Sequence, residues 1–101
     1  MNSAEEPEVR RLMEKRRRHR AALADVSLER NKQDIKWKGD RHDDTHSPHD
    51  WIALIVENVG RAVTWPWDGE SFRKQMVRVA ALAVAAIEWS DRFWGEGDEN
   101  K

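Results

Sequence analysis

Val79-Ala80-Ala81-Leu82-Ala83-Val84-Ala85-Ala86-Ile87 decides the fold. The run is rich in alanine, the best helix former. It sits in a stretch without glycine or proline that starts near Glu70 and reaches about Trp94. This predicts one long helix, ended by Gly95 and Gly97. Phe72, Met76, Val79, Ala80, Ala83, Ala86 and Ile87 are expected to line one side, while Leu82, Val84 and Trp89 point elsewhere. A helix apolar over so much of its circumference is not stable alone and belongs inside a bundle. The run stops at Glu88, well short of the roughly 18 apolar residues that a membrane span requires.

Upstream, Ser47-Pro48-His49-Asp50 is a helix start: a capping serine, proline in the first turn, and an acid three residues after the cap. The helix it opens is predicted over 48–63, with Trp51, Ile52, Leu54, Ile55, Val56, Val59 and Val63 as a broad apolar face. Gly60 in its interior lowers propensity and permits close approach of a neighbour. Trp65-Pro66-Trp67-Asp68-Gly69 must turn. A first helix is predicted from Pro7 to Gln33, where Val9, Leu12, Met13, Leu23 and Val26 form a thin stripe interrupted by Arg16, Arg17 and Arg18. Its first half reads as surface and its second half as packed. The division that follows is a basic helix over 1–28, a helical domain over 29–94 and an acidic tail without fixed structure over 95–101. The other two helices cover the apolar third one poorly, so the fold expected is an all-α bundle completed by a second copy of the chain, with a three-helix monomer whose first helix folds back as the alternative.

The chain has 101 residues, 37% of them charged, with a net charge of −1. That total conceals a basic stretch over 10–20 and an acidic one over 96–99. Without cysteine there is neither a disulfide nor a thiolate metal site, which suits a reducing cytoplasm. The N-terminal charges have no apolar core behind them, so the start does not read as a secretory signal. Arg10, Arg11, Lys15, Arg16, Arg17, Arg18 and Arg20 go round the helix, diluted by Glu5, Glu6, Glu8 and Glu14, with no aromatic residue interleaved. This pattern reads as a solvated surface rather than a nucleic-acid contact.

The loop His42-Asp43-Asp44-Thr45-His46 carries imidazole and carboxylate groups that suit zinc, manganese or iron, with His42, Asp43 and His46 as the candidate ligands. Capping and turn formation account for the same residue types.

A more specific pattern spans 29–92. The segment Asn31 to Gly39 is followed by the histidine loop, then by Asp50-Trp51-Ile52-Ala53-Leu54-Ile55-Val56-Glu57-Asn58-Val59-Gly60-Arg61-Ala62, then by Phe72-Arg73-Lys74-Gln75-Met76-Val77-Arg78-Val79. In order and spacing this resembles the MazG-like branch of the all-α nucleoside triphosphate pyrophosphohydrolases, in particular the small proteins of that type carried by phages and actinobacteria. The resemblance implies a helical bundle of the MazG-like type, assembled as a dimer or tetramer. It also implies Mg²⁺-dependent cleavage of a nucleoside triphosphate to monophosphate and pyrophosphate. In such proteins carboxylates at helical spacing on two facing helices hold the metal, which clamps phosphates and activates water.

Carried over, the first acidic motif falls on Glu57, Asn58 and Arg61, and the second on Gln75 and Arg78. Only Glu57, the remaining candidate catalytic residue, keeps a carboxylate. The expectation is a nucleotide-binding protein in which Mg²⁺-dependent hydrolysis is degenerate or absent. Arg61, Lys74, Gln75 and Arg78 would meet phosphate directly, since guanidinium matches its geometry. Trp37, Trp65 and Trp67 would offer aromatic faces to a base. Against this, Glu57 and Arg61 suit a structural pair at i, i+4, and tryptophans commonly serve packing. The alternative function is a phage-type, non-catalytic protein that sequesters a nucleotide signal or blocks a host protein.

Overall fold

A computed structural model describes residues 6–37, 45–64 and 68–95. These form three α-helices, α1 (Glu6–Lys36), α2 (Pro48–Thr64) and α3 (Gly69–Ser90), followed by a π-helical segment, Asp91–Gly95. The all-α class expected from the sequence is observed, with no strand among the described residues. No helix there is long and apolar enough to cross a membrane. The α1 helix runs three residues beyond the predicted Gln33 and ends as the Trp37 N–H donates to the Gln33 carbonyl at 2.9 Å. Trp65 and Trp67 lie outside the described residues, as do His42 and Asp43.

Local chemistry fixes the helix starts. The Ser47 N–H donates to Asp50 Oδ2 at 2.8 Å, and the Asp50 N–H donates to Ser47 Oγ at 3.2 Å. This reciprocal box satisfies donors that the first helical turn leaves open. Asp68 does the same for α3: Ser71 N–H donates to Oδ1 at 2.8 Å and Ser71 Oγ–H to Oδ2 at 3.0 Å. In both cases the backbone N–H first, and the serine hydroxyl second, holds the aspartate pKa below its ordinary value.

The α3 helix packs against both α1 and α2. Its buried side chains are Gln75, Ala81, Leu82, Ala85 and Trp89, which recur at helical spacing. This is a correction to the predicted face: Phe72 is 47% exposed and Ile87 59% exposed, whereas Leu82 and Trp89, expected to point away, are core. The alanine run is the reason. Its apolar residues surround the helix, so composition leaves the inward face open. Ala81 and Ala85, both fully buried, let the helices approach closely. The core cluster joins Trp51 of α2 to Ala85 and Trp89, with Leu54 and Ala86 against it.

The apolar face of α2 also divides. Trp51 is buried and Leu54 and Ile55 are half-buried, but Ile52, Val56, Val59 and Val63 are exposed. At the far end of α3 the α-helical register gives way to π. This places Phe93 and Trp94 beside Trp89, with ring centroids 4.9 and 5.2 Å away.

Between α1 and α3 the ties are ionic. Arg73 meets Asp25 at 2.7 Å, and Arg30 Nε meets Glu88 at 2.7 Å. Arg30 is itself 8% exposed. The radius of gyration is 18.0 Å, against about 13 Å for a compact chain of this length. Residues 6–24 contribute to that span: all are exposed except the half-buried Glu14.

Candidate functional site

A groove of about 440 Å³ opens where the end of α1 and the middle of α2 diverge over α3. Its size lies within the range of small-molecule sites. The α1 helix contributes Glu29, Lys32, Gln33 and Lys36, with Trp37 just beyond its end; α2 contributes Leu54, Glu57, Asn58 and Arg61; and α3 contributes Arg78 and Leu82. Leu82 and Asn58, 2% and 7% exposed, are its most enclosed members apart from Gln33.

The lining is cationic: Lys32, Lys36, Arg61 and Arg78 stand against Glu29 and Glu57. One of the two acids is already engaged, since Arg61 Nη2 donates to Glu57 Oε1 at 2.7 Å. Among the described residues Lys32, Lys36 and Arg78 have no ion-pair partner. Gln33 is 5% exposed, and its Oε1 is buried without a hydrogen-bond donor among the described residues. A buried carbonyl left this way costs about 1–3 kcal/mol.

Beneath the groove, Gln75 bridges the helices. Its Nε2 donates to the Asn58 carbonyl at 2.8 Å and to Asn58 Oδ1 at 3.3 Å. Asn58 Nδ2 in turn donates to the Leu54 carbonyl at 2.8 Å. Gln75 thus supplies the donor for Asn58 Oδ1, while the Asn58 amide N–H is met within its own helix, as buried polar groups require.

The predicted site residues separate into three groups. Trp37, Glu57, Arg61 and Arg78 share the groove. Gln75 is 2% exposed and lies behind it, so it holds Asn58 rather than meeting solvent. Lys74 pairs with Glu70 at 3.2 Å and lines a neighbouring depression of about 300 Å³, which shares Glu29, Lys32 and Arg78 with the groove. His46 stacks on Trp51 with centroids 4.7 Å apart. Among the described residues no three His, Asp or Glu side chains gather as a metal would require.

Sequence reasoning missed Glu29, Lys32, Gln33 and Lys36. They recur at i, i+3, i+4 and i+7 and so form one stripe. Because the stripe is polar, it reads as a solvated face until α2 and α3 are in place beside it.

The donor set does not suit a magnesium cluster. Hard divalent ions take several oxygen ligands, and this groove offers two carboxylates, one held by Arg61, among four cations. No family model matches the chain, and no curated protein or solved structure matches it significantly.

Proposed function

We propose that the chain binds a nucleotide in this groove and does not depend on Mg²⁺ to hold it. The observation that carries this reading is the convergence of Lys32, Lys36, Arg61 and Arg78 with the Trp37 ring, from three helices, on one groove. Arginine meets phosphate oxygens through a rigid fork of donors. An indole face stacks on any base. Gln33 supplies a buried acceptor for a ring amino group, and a donor entering there removes the cost of leaving it unmade.

The resemblance to MazG-like pyrophosphohydrolases belongs to the same proposal. The positions matched to its two acidic motifs supply Glu57, Asn58, Arg61 and Arg78 to the groove, and Gln75 to the contact with Asn58 behind it. In this reading the fold keeps its nucleotide site, while amides and arginines replace the acids that would hold metal. Hydrolysis is then weak or lost, and sequestering a nucleotide signal is the activity that remains.

The homodimer is part of the proposal as well. Ile52, Val56, Val59 and Val63 form a stripe on α2 at i, i+4, i+7 and i+11, between 42% and 70% exposed. A self-complementary stripe packs against its copy about a two-fold axis. Sedimentation should give twice the chain mass, and Val56→Lys should return it to one.

Calorimetry with nucleoside tri- and monophosphates, run in EDTA, tests the central claim. Binding should persist without metal. Arg78→Ala should weaken it by about 10- to 100-fold, the worth of a hydrogen bond to a charged group. No binding by any nucleotide would sink the proposal. Rapid pyrophosphate release with Mg²⁺ or Mn²⁺ would overturn the loss of hydrolysis and leave the binding site standing.

A further inference from the structure

Residues 6–24 of α1 form an arm of about 28 Å at 1.5 Å per residue, and none of its residues is buried. Seven cations occupy positions 10–20 of this arm. In the sequence they surround the helix, which argues against a binding face. The observed pairing changes that distribution. Arg10 reaches Glu6 at 3.9 Å, and Arg17 is paired with Glu14. Both pairs lie on one side of the helix.

With those two arginines accounted for, five cations have no ion-pair partner among the described residues: Arg11, Lys15, Arg16, Arg18 and Arg20. At about 100° per residue they fall into two rows. Arg11, Lys15 and Arg18, at i, i+4 and i+7, make one. Arg16 and Arg20, at i and i+4, make the other. The rows are about 150° apart around the helix axis, on opposite flanks. Between them, away from the paired charges, runs a narrow edge of Leu12, His19 and Leu23, with one acid, Glu8, at its N-terminal end.

A rod with cations on two opposed flanks matches an anionic groove with two walls. We propose that the arm binds double-stranded DNA, lying in the major groove with one cationic row toward each phosphate backbone. The groove of B-form DNA is about 12 Å wide and admits an α-helix, and helical basic arms carried on a separate body dock in this way. The A-form major groove of duplex RNA is too deep and narrow for it. An anionic membrane would engage only one flank, and the arm's exposed apolar residues, Val9, Leu12, Met13 and Leu23, are interrupted by Arg16 and Arg20 and make no continuous interfacial face. Backbone phosphates are the ligand, so binding is independent of base sequence. The proposal is separate from the nucleotide groove and does not rest on it.

The test is fluorescence anisotropy of the full chain with a labelled, mixed-sequence DNA duplex of about 20 bp, longer than the arm. Five phosphate contacts predict a slope of log affinity against log salt of about −4.5, and a loss of about 500-fold between about 50 and about 200 mM salt. Arg11→Gln/Lys15→Gln/Arg18→Gln should reduce the slope to about −1.8, and Arg16→Gln/Arg20→Gln to about −2.7. Glutamine keeps helix propensity, and circular dichroism of each variant confirms that the helix survives. Loss of binding through one row alone would overturn the two-walled geometry. So would equal or tighter binding to duplex RNA or single-stranded DNA, or binding to anionic vesicles without binding to DNA. Failure to bind the duplex at about 50 mM salt would overturn the proposal outright.

Discussion

The two halves of α1 are continuous in backbone and both rich in charge, yet they do different things. Residues 6–24 stand in solvent, while residues 25–36 carry Arg30 and Gln33 into the interface with α3 and α2. Leu12 and Leu23 remain 48% and 55% exposed in the first half. In the second half, the residues that become buried are polar. Hydropathy alone therefore ranks the halves wrongly. What separates them is the presence of a partner surface: an arginine with Glu88 waiting at 2.7 Å can be buried, whereas a leucine with no facing helix cannot.

Changes to the helical body should cost much more than equivalent changes to the arm. Leu82→Ala, at a side chain 2% exposed, should lower unfolding stability by about 2–5 kcal/mol. Leu12→Ala should change it by less than about 0.5 kcal/mol. Urea titration of both variants measures the contrast, and equal losses would mean that the arm is packed in solution. Next, Gln75→Ala leaves Asn58 Oδ1 without its donor and should cost about 1–3 kcal/mol by the same titration. Arg30→Met is smaller, at about 1–2 kcal/mol, because Glu88 is half exposed and rehydrates when its partner goes. A double-mutant cycle with Glu88→Gln should recover that coupling, while the same cycle on the exposed Glu14–Arg17 pair should find almost none.

The smallest effect concerns pH. Asp50 and Asp68 have depressed pKa values in the folded chain because N–H groups donate to their carboxylates. Their contribution is complete above the ordinary aspartate value of about 3.9. It is lost as pH falls through the lower folded values. Acid titration followed by circular dichroism should show helix loss beginning below that ordinary value. Asp68→Asn, which keeps a capping oxygen, should move the onset, and an unchanged profile would remove Asp68 from the account.

Much of the fold was legible in the sequence. Ser47-Pro48-His49-Asp50 announced α2 through chemistry that needs no tertiary context, and the observed box matches it. The alanine run announced a long third helix. Its inward face was not legible, because Val79, Leu82, Val84 and Ile87 surround the axis and no polar residue marks the outside. The π register that brings Trp94 to Trp89 has no local sequence signal of its own. For the groove, Glu57, Arg61 and Arg78 were singled out only through the MazG-like resemblance, and Leu54 and Leu82 were read only as apolar packing residues. The stripe from Glu29 to Lys36 was not legible, since only the approach of two other helices distinguishes it from a solvated face.

The contact between Asn58 and Gln75 also constrains how this protein can change over generations. Gln75 is the donor to two oxygens of Asn58, and the only amide nitrogen on Asn58 is committed to the Leu54 carbonyl. Asn58→Asp keeps an acceptor in front of Gln75 and is the tolerable first step. Gln75→Glu taken first would set a carboxylate against both Asn58 oxygens, with only the second N–H of Asn58 Nδ2 left to meet it. After Asn58→Asp it would set two carboxylates together. An acidic residue at position 75 is thus disfavoured along either route. The two sites should drift as a linked pair with a preferred order.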